Sequence, residues 1–171
     1  MRKVILNLAV TLDGYIEGPK GEYDWCLTDD DYGMSAFHER IDTILMGSTS
    51  FKMLIGFGAP YPQYNLVVAS ATLDTHNFPN VTVVRNDIAG YVRKMIHEPG
   101  KDIWLWGGAK LFHSLFEQKL VHELMLSVHP VMLGGGTYLY PHLKDRKNIK
   151  LTNSITYPSG LVQLYYNVTG R

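Results

Sequence analysis

Short apolar runs alternate with helical patterns through the first two thirds of the chain, and then the alternation stops. The runs fall at residues 4–10, 43–46, 65–69, 81–84 and 103–106, each bounded by breakers. Between them, 31–40 carries Phe37 on one side, and 88–97 groups Val92, Met95 and Ile96 behind an Asn86-Asp87 cap. The stretch 109–119 sets Leu111, Phe112, Leu115 and Phe116 on one stripe. Strands that alternate with helices pair mainly in parallel and place the helices on the faces of the sheet. After His122 come 124–128, the weaker 149–152 and 161–168, with only loops between them, as antiparallel strands require. The expectation is an α/β fold. One mixed, mostly parallel sheet carries antiparallel C-terminal strands and has helices on both faces. No repeat or low-complexity tract breaks the chain, and its 171 residues suit a single domain, 1–171.

Charge and cysteine usage exclude several classes. Lys+Arg and Asp+Glu are equal at 16 each, so no net field draws in nucleic acid or an anionic membrane. The one cysteine, Cys26, allows no intramolecular disulfide, and with no base in sequence reach it reads as a spectator. Arg2 and Lys3 precede an apolar run that contains Asn7; it is too short to span a bilayer and lacks a cleavage site. A cytoplasmic protein is expected, with Asn80-Val81-Thr82 and Asn167-Val168-Thr169 as chance sequons. GxGxxG, P-loop and GxSxG motifs are all missing. The seven histidines do not fall at metal-ligand spacings, so no metal is expected. On an unbroken strand His122 and His129 would point to opposite faces.

Glycine and hydroxyl groups decorate the strand ends. After Met46 come Gly47, Ser48, Thr49 and Ser50, which open a helix; a phosphate would sit well there, and so would plain capping by Ser48. The strand ending at Ala69 gives Ser70 and Thr72, and the strand ending at Trp106 runs into Gly107-Gly108 and a helix. Each site alone is an ordinary turn. All three follow parallel-type strands at the C-terminal edge, where open α/β sheets bind ligands. The first strand ends differently, in an Asp13-Gly14 turn that leads into the breaker-rich 17–21 rather than into a second hairpin strand.

The segments VTLDGYI, IDTILMGSTSF, LVVAS, DIWLWGGAKLFHSL and LVHELMLSVHPVMLGGGTYL occur in this order. Together they resemble the dihydrofolate reductase-like superfamily, most closely the reductase domain of riboflavin-biosynthesis deaminase/reductases and its stand-alone relatives. The likeness covers nearly the whole chain. It implies a three-layer dihydrofolate reductase-like fold, a homodimer, and an NADPH-dependent reductase of a small heterocycle. The activity implied is 5-amino-6-(5-phosphoribosylamino)uracil reduction or a dihydrofolate reductase-type reaction. By the same resemblance Gly47, Ser48 and Thr49 contact cofactor phosphates and ribose, and Ser70 lies near the 2′-phosphate; the arginine usual in the family right after Gly47 is missing here, and Arg85, after the fourth strand, can replace it. Gly107, Gly108, Ala109, Lys110 and Leu111 wrap the pyrophosphate and nicotinamide side. Asp13 and Gly14 sit beside the nicotinamide, under a covering loop. A cis Gly107–Gly108 peptide bond is implied too, with Trp106 buried before it.

In dihydrofolate reductases an acidic residue shortly after a tryptophan serves the pterin, which points here to Asp30 and next to Asp29. Read from the residues alone, 29–31 is a helix-capping run. The segment KMLIGFGAPYPQY, 52–64, is apolar and aromatic, unlike that of the phosphoribosyl-pyrimidine reductases. Asn7, Trp25, Phe57 and Tyr61 are the candidate substrate contacts; with Tyr23 the aromatic ones can frame a flat ring, or simply pack under a loop. Two other classes stay open: a nucleotide-binding protein without turnover, and an assembly protein whose glycines are only turns.

Overall fold

The computed structural model describes residues 1–58, 61–74, 78, 80–141 and 143–168. Ala59 and Pro60 of the aromatic segment, Thr169 of the second sequon and the last residues of the 1–171 span lie outside them. Among the described residues ten strands and four helices follow in the order β1 (Val4–Thr11), β2 (Tyr15–Glu17), α1 (Met34–Arg40), β3 (Ile41–Gly47), α2 (Ser48–Gly56), β4 (Asn65–Ala69), β5 (Val81–Val84), α3 (Ile88–Met95), β6 (Asp102–Gly107), α4 (Ala109–Glu117), β7 (Glu123–His129), β8 (Thr137–Tyr138), β9 (Lys150–Thr156) and β10 (Val162–Asn167).

Eight strands form one sheet in the order β5-β4-β3-β6-β1-β7-β10-β9. Every pair from β5 to β7 is parallel, and β10 runs antiparallel to both β7 and β9. The mixed, mostly parallel sheet with antiparallel C-terminal strands is therefore the fold. Its central strands are apolar on both faces because helices cover both. On one face Leu45, Leu105 and Leu124 pack with Val92 of α3 and Phe112 and Leu115 of α4. On the other, Ile5, Ile44 and Trp104 pack with Phe37 of α1 and Phe51 and Leu54 of α2.

The chain after Asp13-Gly14 does pair, though not with β1. β2 joins β8 in a separate two-stranded sheet. Asp13 ties the two segments together: its carboxylate accepts from Thr11 Oγ1 at 2.6 Å and from the N–H groups of Leu133 at 3.2 Å and Gly134 at 2.8 Å. Gly136 lets the strands meet, since a Cβ there would lie 2.1 Å from the Glu17 carbonyl oxygen. Neither strand exceeds three residues, too short for alternation to show in the sequence.

The N-terminal ends of the parallel strands are knotted by charge. Arg2, 7% exposed, pairs with Asp42 and donates to Thr43 Oγ1 at 2.6 Å and to the Lys101 carbonyl at 2.5 Å. Nearby, Arg40 bridges Asp102 at 3.0 Å and Glu123 at 2.7 Å, and Lys3 reaches Glu123 at 2.6 Å. The opposite, C-terminal ends are left open.

Candidate active site

At that open edge β3, β6, β1 and β7 end around one cleft of about 1150 Å³. Register brings the ends together: Met46 stands opposite Gly107, Gly47 opposite Ala69, and Thr11 opposite His129. Ile16, Glu17 and Thr137 of the small sheet, with Tyr23 and residues 26–28 of the following loop, line its outer side.

Two helices start in this cleft without a side-chain cap. The N-cap of α2 is Gly47 and that of α4 is Gly108, and neither offers a side-chain acceptor. α3 shows the usual solution: the Asp87 carboxylate accepts from Gly90 N–H at 2.9 Å. The first N–H groups of α2 and α4, at the positive ends of their helix dipoles, thus remain available to a bound anion.

The glycines serve different ends. Gly107 at φ 139° and Gly108 at φ 91° hold backbone that other residues resist, and they turn the chain out of β6 into α4. The Gly107–Gly108 bond itself is trans, as is every peptide bond among the described residues. This corrects the cis bond implied by resemblance: two left-handed glycines redirect the chain without isomerisation. Trp106 before them is half-buried and lines the cleft, which corrects the expectation that it stays buried. Gly47 has φ −83°, which any residue adopts, and a Cβ there would meet nothing within 4 Å. Nothing within the protein requires glycine at that position.

Gly47, Ser48, Thr49, Gly107, Gly108, Ala109, Lys110 and Leu111 all line the cleft, and so do Asn7, Phe57, Tyr61 and Asp30. Six other candidates are not among the lining residues. Ser70 Oγ accepts from the N–H groups of Leu73 at 3.1 Å and Thr72 at 3.4 Å, and Arg85 donates to the carbonyls of Ala71 at 2.9 Å and Leu73 at 3.3 Å. Both organise the turn after β4. Asp13 and Gly14 form the turn that leads into β2, and Asp29 accepts from the Tyr32 hydroxyl at 2.6 Å. Trp25 stands edge to face against His129, with ring centroids 5.2 Å apart.

The acids differ in environment. Asp30 is exposed and accepts from Asp31 N–H at 2.7 Å. Asp31 accepts from the Ser35 hydroxyl at 2.7 Å, and this bond first holds its carboxyl below the usual range. Asp31 therefore stays ionised and is a poor proton donor. Cys26 lines the cleft, but burial pushes its thiol up to about 11, so it carries no thiolate at neutral pH.

Trp104, Ser127 and His129, none of them a site candidate from the sequence, also line the cleft. Two-residue periodicity links them: Trp104 and Trp106 share a face of β6, and Met125, Ser127 and His129 share a face of β7. Trp104 and Met125 pack on the α1–α2 side, which puts both rows there.

Burial lowers the pKa of His38, His122 and His129, with Lys3 adding to the effect at His122. Below about 6.5, the ordinary value, the unfolded chain takes up protons that the folded chain refuses, so stability falls as pH falls. Asp13, held low first by Thr11, and Asp31 add a further loss in the carboxylate range. Thermal unfolding followed from pH 8 to pH 4 should show Tm level above about pH 7 and declining below it; a Tm that rises on acidification would contradict these environments.

The RibD C-terminal domain family matches residues 61–163. The chain belongs to this family. It is 42% identical to an uncharacterized protein, YyaP, of Bacillus subtilis strain 168, over 99% of this chain and 96% of that one. Among solved structures it is similar to a protein of Shewanella sp. PV-4 provisionally described as a riboflavin biosynthesis protein, with TM-score 0.86 and 22% identity over 98% and 99% of the two chains. It is also similar to a Thermotoga maritima diaminohydroxyphosphoribosylaminopyrimidine deaminase/5-amino-6-(5-phosphoribosylamino)uracil reductase, with TM-score 0.74 and 14% identity, covering 98% of this chain and 57% of that one. The dihydrofolate reductase of Enterococcus faecalis complexed with NADP(H) gives TM-score 0.72 and 16% identity over 98% and 97%. These likenesses establish the dihydrofolate reductase-like fold. Among the described residues no helix is long and apolar enough to cross a membrane, and no group of three or more His, Cys, Asp or Glu could hold a metal ion.

Proposed function

We propose that this chain is an NADPH-dependent reductase of a small nitrogen heterocycle, pyrimidine-like or pterin-like, of the kind used in riboflavin biosynthesis. One observation carries the reading: two helix starts left uncapped by side chains open onto one cleft that aromatic side chains also line. The donor set suits a dinucleotide. N–H groups after Gly47 and Gly108, with the hydroxyls of Ser48 and Thr49, can hold phosphates, and Lys110 supplies a cation nearby. When bound, the cofactor supplies the hydride. The chain's own residues orient the acceptor against Trp104, Trp106 and Tyr61 and shield it from water beneath the loop that carries Tyr23. In this reading Asp30, which lines the cleft, exchanges a proton with the acceptor, and Asp29, which lies outside the lining and accepts from Tyr32, is the next candidate. Ser70 and Arg85 serve the 2′-phosphate in this reading only if they exchange their turn contacts for it. The exposure of Asp30, with Asp29 engaged by the Tyr32 hydroxyl, favours a second reading, nucleotide binding without turnover.

Titration with NADPH and NADH, followed through tryptophan fluorescence, tests the first step, because Trp104 and Trp106 line the cleft. NADPH should bind more tightly; equal dissociation constants would remove the 2′-phosphate assignment. Oxidation of NADPH on adding an aminopyrimidine or dihydropterin separates the two readings.

The setting belonging to this reading is the cytoplasm, with a small-molecule substrate and no nucleic acid or membrane partner. A homodimer belongs to it as well. β9 is the outermost strand of the sheet, all seven of its residues are exposed, and Leu151 and Ile155 lie among them. Light scattering at micromolar concentration should give twice the 19.4 kDa chain mass. A monomer would contradict the assembly.

A further inference from the structure

One side-chain nitrogen or oxygen among the described residues is buried without a partner: Nε2 of His129. The imidazole is 2% exposed, sits on the last residue of β7 and contributes to the lining of the cleft. Its tautomer follows from its neighbour. Nδ1 lies 2.9 Å from the Ser127 carbonyl oxygen, which can only accept, so Nδ1 carries the hydrogen. Burial pushes the ring toward its neutral form, which leaves Nε2 a bare acceptor. The adjacent ring does not serve it: Trp25 meets the imidazole edge to face, and the indole N–H goes instead to the Glu22 carbonyl at 3.3 Å. Buried acceptors are almost always satisfied, so an unpaired one in a cleft marks a place for a ligand donor.

The position says which part of a ligand it meets. Gly107 ends β6, and His129 ends β7 two strands away, about 10 Å across the sheet. His129 is thus remote from the uncapped helix starts and shares its face of the sheet with Trp104, Trp106 and Asn7. A flat ring laid on that aromatic wall turns its edge toward β7.

We propose that His129 binds the substrate through Nε2, accepting a hydrogen bond from a ring or exocyclic N–H of a nitrogen heterocycle. This rests on the reductase reading and names the group on the substrate side of the same cleft. The covering loop yields to admit the ring. Residues 18–26 form hydrogen bonds within that loop; it meets the body through the ring contacts Tyr23–Phe57 and Trp25–His129 and through Gly18 and Pro19, which pack beside Gly136 and Gly135.

The test uses the full chain, ¹⁵N-labelled on histidine and saturated with NADPH, with two probes. 5,6-Diaminouracil offers ring and exocyclic N–H groups without a sugar; ribose 5-phosphate offers hydroxyls without a ring. The Nε2 resonance of His129 should move upfield with 5,6-diaminouracil and stay put with ribose 5-phosphate. His129→Phe should raise the dissociation constant of 5,6-diaminouracil roughly tenfold, the effect of losing one hydrogen bond in a closed site. His129→Gln, whose amide oxygen can replace Nε2, should stay within about threefold of the wild type. NADPH affinity reports separately on the reductase reading. If NADPH binds and the resonance does not respond to 5,6-diaminouracil, or responds only to ribose 5-phosphate, the assignment is overturned and the cofactor site stands. A Phe variant that binds 5,6-diaminouracil as the wild type does would overturn it too.

Discussion

A Gly47→Ser substitution should stabilise the fold and, at the same time, weaken NADPH binding about 10- to 100-fold. The two effects have one cause. Gly47 is the N-cap of α2 and offers no side-chain acceptor. Serine is a better cap than glycine by a few tenths of a kcal/mol, because its hydroxyl takes an otherwise unpaired N–H of the first turn. The backbone at φ −83° accepts serine, and its Cβ meets nothing within 4 Å. A phosphate bound at this helix start needs the same N–H groups and the same space. The side chain competes for the first and fills the second, a loss of about 1.4–2.8 kcal/mol on the binding scale. Gly47→Val removes the capping benefit and should weaken binding at least as much. Parallel Tm and NADPH titrations decide the matter. Higher Tm with unchanged affinity would mean that Gly47 is only a turn.

Asp42→Ala should cost about 3 kcal/mol of stability while NADPH affinity, measured well below Tm, stays near the wild-type value. Arg2 is buried, and Asp42 is its charge partner. The same carboxylate accepts from Lys101 N–H at 2.8 Å and from Thr43 Oγ1 at 2.7 Å, so it closes β3 against the start of β6. Removing one partner of a buried pair leaves an uncompensated charge, which typically costs 3–5 kcal/mol, and the 31% exposure of Asp42 places this case at the low end. The knot lies at the N-terminal ends of the strands and the cleft at the C-terminal ends. Urea unfolding should therefore shift while binding does not. A loss of affinity without a loss of stability would mean that the two ends are coupled in a way this fold does not explain.

How far the fold can be read from the residues follows from what each residue depends on. The β4 run 65–69 and the β5 run 81–84 match the strands residue for residue, because short runs rich in β-branched apolar residues end abruptly at breakers whether the strand lies inside the sheet or, like β5, at its edge. Asp87 caps α3 as its position suggests, since capping is local. β2 and β8 are not legible in the sequence, because Asp13 fastens them by reaching Leu133 and Gly134, 120 and 121 residues away. Ser70 and Arg85 look like free phosphate ligands in the sequence, and only the path of the turn shows that Leu73 engages both.

The site divides along the same line. The glycine strand ends were legible because glycine after a buried strand is a local signal, and register then gathers Gly47, Gly107 and Gly108 at one edge. His129 carried the signal of strand parity, but parity names a face and not what lies against it. The orphaned Nε2 emerges only when Ser127, two residues back, takes Nδ1 through its carbonyl. The Gly107–Gly108 geometry shows the limit of resemblance: the turn is there, but it is made by φ and not by ω.

The most direct measurement of the central claim is a crystal structure of the chain with NADPH bound. The pyrophosphate should lie between the first turns of α2 and α4, within hydrogen-bond distance of N–H groups that follow Gly47 and Gly108, with the nicotinamide directed toward Trp104 and Asn7. Binding outside the cleft, or within it with the phosphates away from both helix starts, would contradict the account.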